Sequence, residues 1–318
     1  MIRARVYKSS KRQFECKIIE TGEFVKAQAL GNLLKGKDTI VVGDYVQLKL
    51  DEQNKNYEIH EVEQRNNEIY RLSIREQKKK ITASNVDYLV VVSSVTKPAF
   101  KQGIIDRFLV RAHQWQIVPL LIFNKMDQFN DELDVKFESD RLKSLGVDCF
   151  EVSSKDKDYE KKILELGIED IKKKIKGKTA LFLGQSGVGK SSLITAISGH
   201  TYELRTQEVN KSGKGSHTTT WSEIIDCGEF ALLDSPGIRS FSIEDIMGEE
   251  LISLFPDVEE LAVQCQFRNC EHNENSKGCY FNKLDEDEYE TKLIHSRLES
   301  FIRMKEEIDS RPDWDKKF

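Results

Sequence analysis

The stretch that decides the fold is Gly184-Gln185-Ser186-Gly187-Val188-Gly189-Lys190-Ser191, which fits the pattern G-x-x-x-x-G-K-[ST]. It follows the apolar run 180–183 and precedes a helical run that begins at Ser192. This strand–loop–helix context is the one in which the pattern is meaningful. Glycines let backbone N–H groups turn inward around phosphates, and the N-terminus of the helix adds its dipole. The stretch therefore predicts a phosphate-binding loop within an α/β domain.

The residue types in this loop suggest separate roles. We expect Lys190 to contact the β- and γ-phosphates and Ser191 to bind the Mg²⁺ that accompanies a nucleoside triphosphate. The residues expected to surround the nucleotide are Gly184, Gln185, Ser186, Gly187, Val188, Gly189, Lys190, Ser191 and Ser192. A glycine-rich turn that binds nothing is the alternative, and the flanking strand and helix weigh against it.

A second motif, Asn124-Lys125-Met126-Asp127, indicates which base is bound. It follows the apolar strand Val118–Phe123, at the strand end where α/β folds bind ligands. The carboxylate of Asp127 can accept two parallel hydrogen bonds from N1–H and the 2-amino group of guanine, an edge that adenine lacks. We expect Asn124 to tie neighbouring loops together and the Lys125 stem to lie against the base. A plain polar turn is the alternative, but beside a phosphate loop the motif becomes specific.

Three weaker motifs complete the predicted site. Ser153, Ser154 and Lys155 follow the next strand and can offer backbone N–H groups to guanine O6. The motif Asp234-Ser235-Pro236-Gly237 fits D-x-x-G. We expect Asp234 to hold Mg²⁺ through water and the Gly237 N–H to contact the γ-phosphate. Thr219, in the polar run between these motifs, is the threonine that we favour for completing the Mg²⁺ shell.

The residue after the D-x-x-G motif is Ile238, where Ras-like enzymes have the glutamine that orients the attacking water. Isoleucine cannot form that hydrogen bond, so we expect intrinsic hydrolysis to be slow. His217 is a candidate for the missing group, with an exposed loop histidine as the equal alternative. Arg205 and Arg239 are weaker candidates for stabilising charge.

Residues 1–75 are predicted to form a small β-barrel, because short strands alternate with turns that contain glycine. Apolar residues alternate with polar ones at Phe14, Cys16, Ile18, Val46, Leu48 and Leu50. This period of two is typical of half-buried strands and suits an OB-type barrel, although an SH3-like barrel would look similar. The basic stretch Arg75–Lys80 predicts a linker. Beyond it, buried strands alternate with helices, including a largely helical segment over 159–176, which is typical of a parallel α/β sheet.

A cluster of possible metal ligands follows near the C-terminus: Cys265, Cys270, His272 and Cys279. Three thiolates and one imidazole form a closed tetrahedral zinc set, which would stabilise a region too small for a large core. Redox-active or buried thiols are the alternative. Because the set leaves no open position, we expect one structural zinc ion. Cys16, Cys149 and Cys227 are isolated in apolar stretches and are predicted to be buried thiols.

The composition excludes several classes of protein. No apolar run approaches the roughly 18 residues that a membrane helix needs, and the first residues lack the apolar core of a signal peptide. We therefore expect a cytoplasmic protein with no membrane partner. Residues 1–80 contain 17 Lys/Arg against 12 Asp/Glu, within a chain of net charge −5. This small excess of positive charge would favour contact with the phosphate backbone of a nucleic acid. An ordinary solvated surface explains it equally well.

The order of the motifs is unusual, because the base-reading motif Asn124–Asp127 precedes the phosphate loop Gly184–Ser191. An ordinary GTPase has the phosphate loop first, so the order here is a circular permutation, which is feasible when the usual termini lie close together. With a barrel before it and cysteines after it, the chain resembles the ribosome small-subunit-dependent GTPase A family over nearly its whole length. The resemblance implies an OB-fold, GTP as substrate, zinc on the four ligands named above, and the small ribosomal subunit late in maturation as partner.

We therefore expect three domains: an OB-fold barrel over 1–75, a circularly permuted P-loop GTPase over 76–256, and a mostly helical zinc-binding domain over 257–318. We expect the protein to hydrolyse GTP to GDP and phosphate, and we expect the small ribosomal subunit to stimulate this reaction. We also expect it to be a monomer that binds rRNA. The alternative is an RNA-binding scaffold whose nucleotide site senses GTP or GDP with negligible turnover. An ATP-driven enzyme is disfavoured by Asp127.

Overall fold

The structure is a computed structural model that describes residues 1–10, 13–30, 39–51, 56–73, 78–156, 158–199, 223–234, 243 and 245–311. For residues 71–73, 78 and 234 the description covers the backbone. No helix among the described residues combines the length and the apolar composition that crossing a membrane requires.

The N-terminal region is a closed five-stranded barrel, as the alternation predicts. Its strands are β1 (Ile2–Ser10), β2 (Gln13–Ile18), β3 (Phe24–Ala29), β4 (Tyr45–Asp51) and β5 (Asn56–Val62). They are hydrogen-bonded in the order β1-β2-β3-β5-β4, and pairing of β4 with β1 closes the barrel. Cys16 and Leu48 are fully buried inside it, whereas Leu50 is 46% exposed. The predicted inward position of Leu50 is therefore wrong, because β4 is leaving the barrel core at that point.

Two paired strands follow the barrel, and the second begins within the predicted linker Arg75–Lys80, whose residues 75–77 lie outside the described part of the chain. Strand β6 (Glu68–Ser73) pairs antiparallel with β7 (Lys78–Ser84), so that Lys78–Lys80 belong to a strand. The ammonium of Lys79 lies 4.0 Å from the ring centroid of Tyr70 and 2.8 Å from a carboxylate oxygen of Glu68. These cross-strand partners stabilise a basic stretch that composition alone indicates as a connector.

The central region is the predicted parallel α/β sheet. Its strands are β8 (Tyr88–Ser94), β9 (Val118–Asn124), β10 (Asp148–Glu151), β11 (Thr179–Leu183), β12 (Glu223–Asp226) and β13 (Ala231–Asp234). They lie in the order β10-β9-β8-β11-β13-β12, and all neighbours are parallel except β12 and β13. At the edge, β12 pairs with β1, so the barrel and the α/β region share one continuous sheet.

Helices cover both faces of this sheet, as fully buried parallel strands require. These helices are α1 (Gln102–Gln114), α2 (Val135–Lys143), α3 (Ile168–Ile175) and α4 (Lys190–Ser198). Residues of α1 and α2 join the core that also fills the barrel, and residues of α3 and α4 form a second core on the opposite face. The predicted helix over 159–176 begins only at Ile168, because the preceding residues form a loop around a buried carboxylate.

The C-terminal region has a core of its own. Helices α5 (Pro256–Ala262) and α6 (Tyr289–Asp309) pack together around Phe255, Phe281 and Phe301. Helix α6 also packs against α2. The predicted helical end of the chain is thus present, and its long helix lies against the α/β region. Cys16, Cys149 and Cys227 are buried, as predicted.

Candidate functional site

The glycine-rich loop connects β11 to α4, and its geometry explains why two of its positions are glycines. The φ angles of Gly184 and Gly189 are +157° and +92°. A Cβ atom on Gly184 would lie 2.3 Å from the carbonyl oxygen of Val92, and one on Gly189 would lie 2.4 Å from Nδ2 of Asn124. The loop therefore passes too close to its neighbours for any side chain at these positions. It delivers the chain into α4, which begins at Lys190.

The other residues of this loop divide between a buried side and an exposed side. Val188 is buried under the loop, while Ser186, Gly187 and Ser191 are exposed at its open side. Gln185 is half-buried, and its carbonyl oxygen accepts a hydrogen bond from the N–H of Val188. The backbone is thus curled on itself, which is the shape that lets N–H groups converge on an anion.

Asn124 joins the base-reading loop to the glycine-rich loop. Its side chain is fully buried at the carboxyl end of β9. Nδ2 donates to the carbonyl oxygen of Val188 over 2.8 Å, and Oδ1 accepts from the N–H of Ser154 over 3.1 Å. One amide therefore joins three loops, those that follow β9, β10 and β11.

Asp127 is exposed at the same edge of the sheet, on the short helical turn that follows β9. The hydroxyl of Ser153 donates to Oδ1 of Asp127 over 2.6 Å. The neighbouring Met126 is buried, and its N–H donates to the carbonyl oxygen of Val152. The hydrogen bond from Ser153 thus orients a carboxylate that is exposed to solvent, and Lys155, two residues after Ser153, is exposed as well. This arrangement can present two acceptors to a base.

Lys125 has a left-handed backbone, with φ +65° and ψ +33°, which turns the chain sharply after the strand. Its ammonium donates a hydrogen bond to the carbonyl oxygen of Lys97. Pro98, the next residue, is 3.7 Å from the Cβ position of Gly187 in the glycine-rich loop. The segment after β8 therefore borders the site. Sequence reasoning missed it, because the contact uses a backbone carbonyl that any residue would supply.

The remaining predicted residues are described only in part. The backbone of Asp234 ends β13, and β13 is a parallel neighbour of β11, so this residue lies at the same sheet edge as the glycine-rich loop. The predicted residues His217, Thr219 and Gly237 lie outside the described residues. Ile238, Arg205 and Arg239 lie outside them as well.

The four predicted metal ligands come together in the C-terminal region. The donor atoms of Cys265, Cys270, His272 and Cys279 all lie within 4.8 Å of one another. Nδ1 of His272 is 3.6 Å from the sulfur of Cys265 and 3.9 Å from that of Cys279. Around a tetrahedral zinc ion with bonds of about 2.3 Å to sulfur and about 2.0 Å to nitrogen, such atoms lie about 3.5 Å apart. The cluster can therefore hold a metal ion.

Comparison with known families and proteins agrees with this geometry. A family model described as RsgA GTPase matches residues 62–244, more than half of the chain. A small ribosomal subunit biogenesis GTPase RsgA from Flavobacterium psychrophilum is 33% identical over 315 residues, which cover 96% of this chain and 92% of that protein.

Two solved structures share the whole architecture. The crystal structure of YjeQ from Thermotoga maritima matches with a TM-score of 0.74 and 26% identity, covering 98% of this chain and 99% of that one. The structure of YloQ, described as a circularly permuted GTPase, matches with a TM-score of 0.74 and 27% identity, covering 98% and 96%. The barrel, the sheet with its permuted motif order and the C-terminal region therefore recur together.

Proposed function

The chain belongs to the RsgA GTPase family, and on this premise we propose that it hydrolyses GTP in the service of small ribosomal subunit biogenesis. The observation that carries the proposal is the double hydrogen bond of Asn124, to Val188 on one side and to Ser154 on the other. This buried amide sets the distance between the loop assigned to the base and the loop assigned to the phosphates.

The base is assigned to the loops after β9 and β10. Asp127, oriented by Ser153, accepts hydrogen bonds from N1–H and the 2-amino group of guanine. Within the loop Ser153–Lys155, the N–H of Ser154 donates to Asn124, so the N–H groups of Ser153 and Lys155 are assigned to guanine O6. The stem of Lys125 lies against the face of the base, with its ammonium retained by the Lys97 carbonyl. Adenine has neither the donors nor the acceptor that these groups match.

The phosphates are assigned to the glycine-rich loop and the N-terminus of α4. Backbone N–H groups and Lys190 bind the β- and γ-phosphates and stabilise the charge that grows on them in the transition state. Ser191 and Asp234 are the residues that would hold Mg²⁺, since hydroxyl and carboxylate oxygens are the donors it prefers. When bound, Mg²⁺ would supply further positive charge to stabilise the phosphates.

Hydrolysis requires a group that orients the attacking water. Water attacks the γ-phosphorus, the bond to the bridging oxygen breaks, and GDP and phosphate are released. Ile238 has no polar group for the water, so we assign its orientation to His217. Thr219 and the Gly237 N–H are assigned to the γ-phosphate side of the site. Thr219 would complete the Mg²⁺ shell when the γ-phosphate is present, and the Gly237 N–H would contact that phosphate.

The flanking regions are assigned to the ribosomal partner. The relatives of this chain are named for the biogenesis of the small ribosomal subunit. The excess of Lys and Arg in residues 1–80 suits the phosphate backbone of rRNA. The three thiolates and one imidazole suit one structural zinc ion, which keeps the C-terminal region folded. The proposed protein is a cytoplasmic monomer, with domains over 1–75, 76–256 and 257–318.

Co-sedimentation with purified small ribosomal subunits tests the partner. We expect the chain to pellet with small subunits, and we expect the bound fraction to differ between GDP and a non-hydrolysable GTP analogue. Large subunits serve as the control and should retain little of the chain. Equal binding in both nucleotide states, or equal binding to both subunits, would contradict the proposal.

A further inference from the structure

Glu151 is a buried carboxylate that the proposed chemistry does not use. It ends β10, and its side chain is 1% exposed. It accepts hydrogen bonds from the hydroxyl of Tyr159 and from three backbone N–H groups, of Lys162 at 2.7 Å, Ile163 at 2.8 Å and Leu164 at 2.6 Å. Burial alone would raise the pKa of Glu151, but these hydrogen bonds outweigh burial and lower the pKa, so the group is ionised at neutral pH.

These hydrogen bonds hold the segment that leaves and rejoins β10. At its start, the N–H of Asp156 donates to the hydroxyl of Ser153 over 3.2 Å. The same hydroxyl donates to Asp127. At its end, the N–H of Glu151 donates to the carbonyl oxygen of Leu166 over 2.9 Å. The N–H of Asp158 in turn donates to Oδ1 of Asp156 over 3.1 Å, so the segment 158–166 is tied at one end through Asp156 to Ser153, and at the other to Glu151.

This segment forms one wall of a cavity of about 880 Å³. The residues that line the cavity include Tyr159, Ser153 and Ser154, together with Ser192 and Thr195 of α4. The cavity thus lies between the loop assigned to guanine and the helix that follows the phosphate loop. If the segment 158–166 shifted, Ser153 and Ser154, which line the same cavity, would shift with it.

We propose that Glu151 is a positioning residue for guanine recognition, which acts by holding the segment 158–166 so that Ser153 and Ser154 keep their place beside the base. The inference rests on the proposed function, since that function assigns guanine to these loops. The carboxylate acts through the segment, because both of its oxygens accept hydrogen bonds from Tyr159 and from the backbone at 162–164. Its loss should weaken binding at the base and leave the phosphate loop unchanged.

The test compares GDP and ADP binding by the full chain and by Glu151→Gln, with a fluorescent GDP displaced by each nucleotide. Glutamine keeps the size of the side chain, but it replaces one acceptor with a donor that faces backbone N–H groups. We expect GDP affinity to fall about tenfold, as the loss of one hydrogen bond to a charged group predicts. ADP affinity should stay the same, because ADP makes no contacts that depend on the guanine loop. KM for GTP should rise, with kcat unchanged.

Two further variants separate positioning from folding. Tyr159→Phe removes one donor to the carboxylate and should weaken GDP binding in the same direction by less. Glu138→Gln is the matched control, because Glu138 is also a buried carboxylate in the α/β region, but it is paired with Arg141 and does not line the cavity. It should lower the unfolding temperature and leave the preference for GDP over ADP intact.

The outcomes distinguish the inference from the function on which it rests. If the wild-type chain shows no preference for GDP over ADP, the proposed function fails. If the wild type prefers GDP and Glu151→Gln loses GDP and ADP affinity equally, or loses neither, the inference is wrong and Glu151 only stabilises the fold. If Glu151→Gln does not fold, the test uses Tyr159→Phe instead. If that variant binds GDP as tightly as the wild type does, the inference is wrong.

Discussion

Arg297 of α6 donates a hydrogen bond to Oδ1 of Asp106 of α1, and their side chains are 3% and 0% exposed. Arg141 of α2 donates to the same oxygen over 2.7 Å, and the hydroxyl of Ser300 donates to the other oxygen. On its far side, Arg297 donates to Asp257 over 2.6 Å. The C-terminal region is therefore joined to the helices of the α/β region by buried charges that depend on one another.

Replacement of Arg297 by alanine should destabilise the chain by about 3–5 kcal/mol, because Asp106 and Asp257 would each lose a buried partner. Denaturant unfolding measures the change. Arg303→Ala is the control on the same helix, since Arg303 pairs with Glu299 at side-chain exposures of 74% and 65%. That variant should change stability by at most about 0.5 kcal/mol. If the two variants lose the same free energy of unfolding, the buried ion pairs of Arg297 contribute no more to stability than an exposed pair does.

Asp127→Asn should exchange guanine specificity for xanthine specificity. The carboxylate offers two acceptors to guanine, whereas the amide offers one acceptor and one donor, which matches the 2-oxo edge of xanthine. Binding of GDP and of xanthosine diphosphate to both proteins measures the exchange. Unchanged GDP affinity in the variant would remove Asp127 from the base site.

Lys190→Ala and Ser191→Ala should each reduce GTP turnover by about 10²–10³-fold, because both residues act on the charge of the phosphates. Circular dichroism should show an unchanged fold. Lys173→Ala replaces a lysine whose side chain is 80% exposed on α3, and it should keep wild-type turnover. Near-normal hydrolysis in either loop variant would refute its assignment.

The metal cluster should contain one equivalent of zinc in the freshly purified chain. Cys270→Ser should lose most of this zinc and increase hydrogen exchange across 257–311, because the metal stabilises the fold of that region. Cys149→Ser removes a buried thiol that is not one of the four ligands, and this variant should keep its zinc. Elemental analysis that finds no metal in the wild-type protein would disprove the assignment.

The parts of the fold that sequence predicts best are the fully buried strands. The strands at 118–124 and 179–183 coincide within one residue with the apolar runs Val118–Phe123 and 180–183 that predict them. Because these strands are parallel, their carboxyl ends meet at one edge. The motifs that follow them therefore come together, as Asn124, Ser154 and Val188 do.

The errors arise where a distant group decides the local structure. The segment 159–167 has helical periodicity, but the carboxylate of Glu151 takes the backbone N–H groups that a helix would use. Lys78–Lys80 form a strand because they pair with Arg71–Ser73 of β6, and Lys79 also contacts Tyr70 and Glu68. The bond from Lys125 to the Lys97 carbonyl has no sequence signal at all, since every residue has a carbonyl.

The most direct test of the account is multiple-turnover release of phosphate from GTP, measured with and without small ribosomal subunits. The account predicts slow release by the chain alone, because Ile238 cannot orient water, and a rise of about tenfold or more when small subunits are added. ATP should give no release above background. A rate that is the same with and without subunits, or negligible in both, would contradict the account and favour an RNA-binding scaffold that only senses the nucleotide.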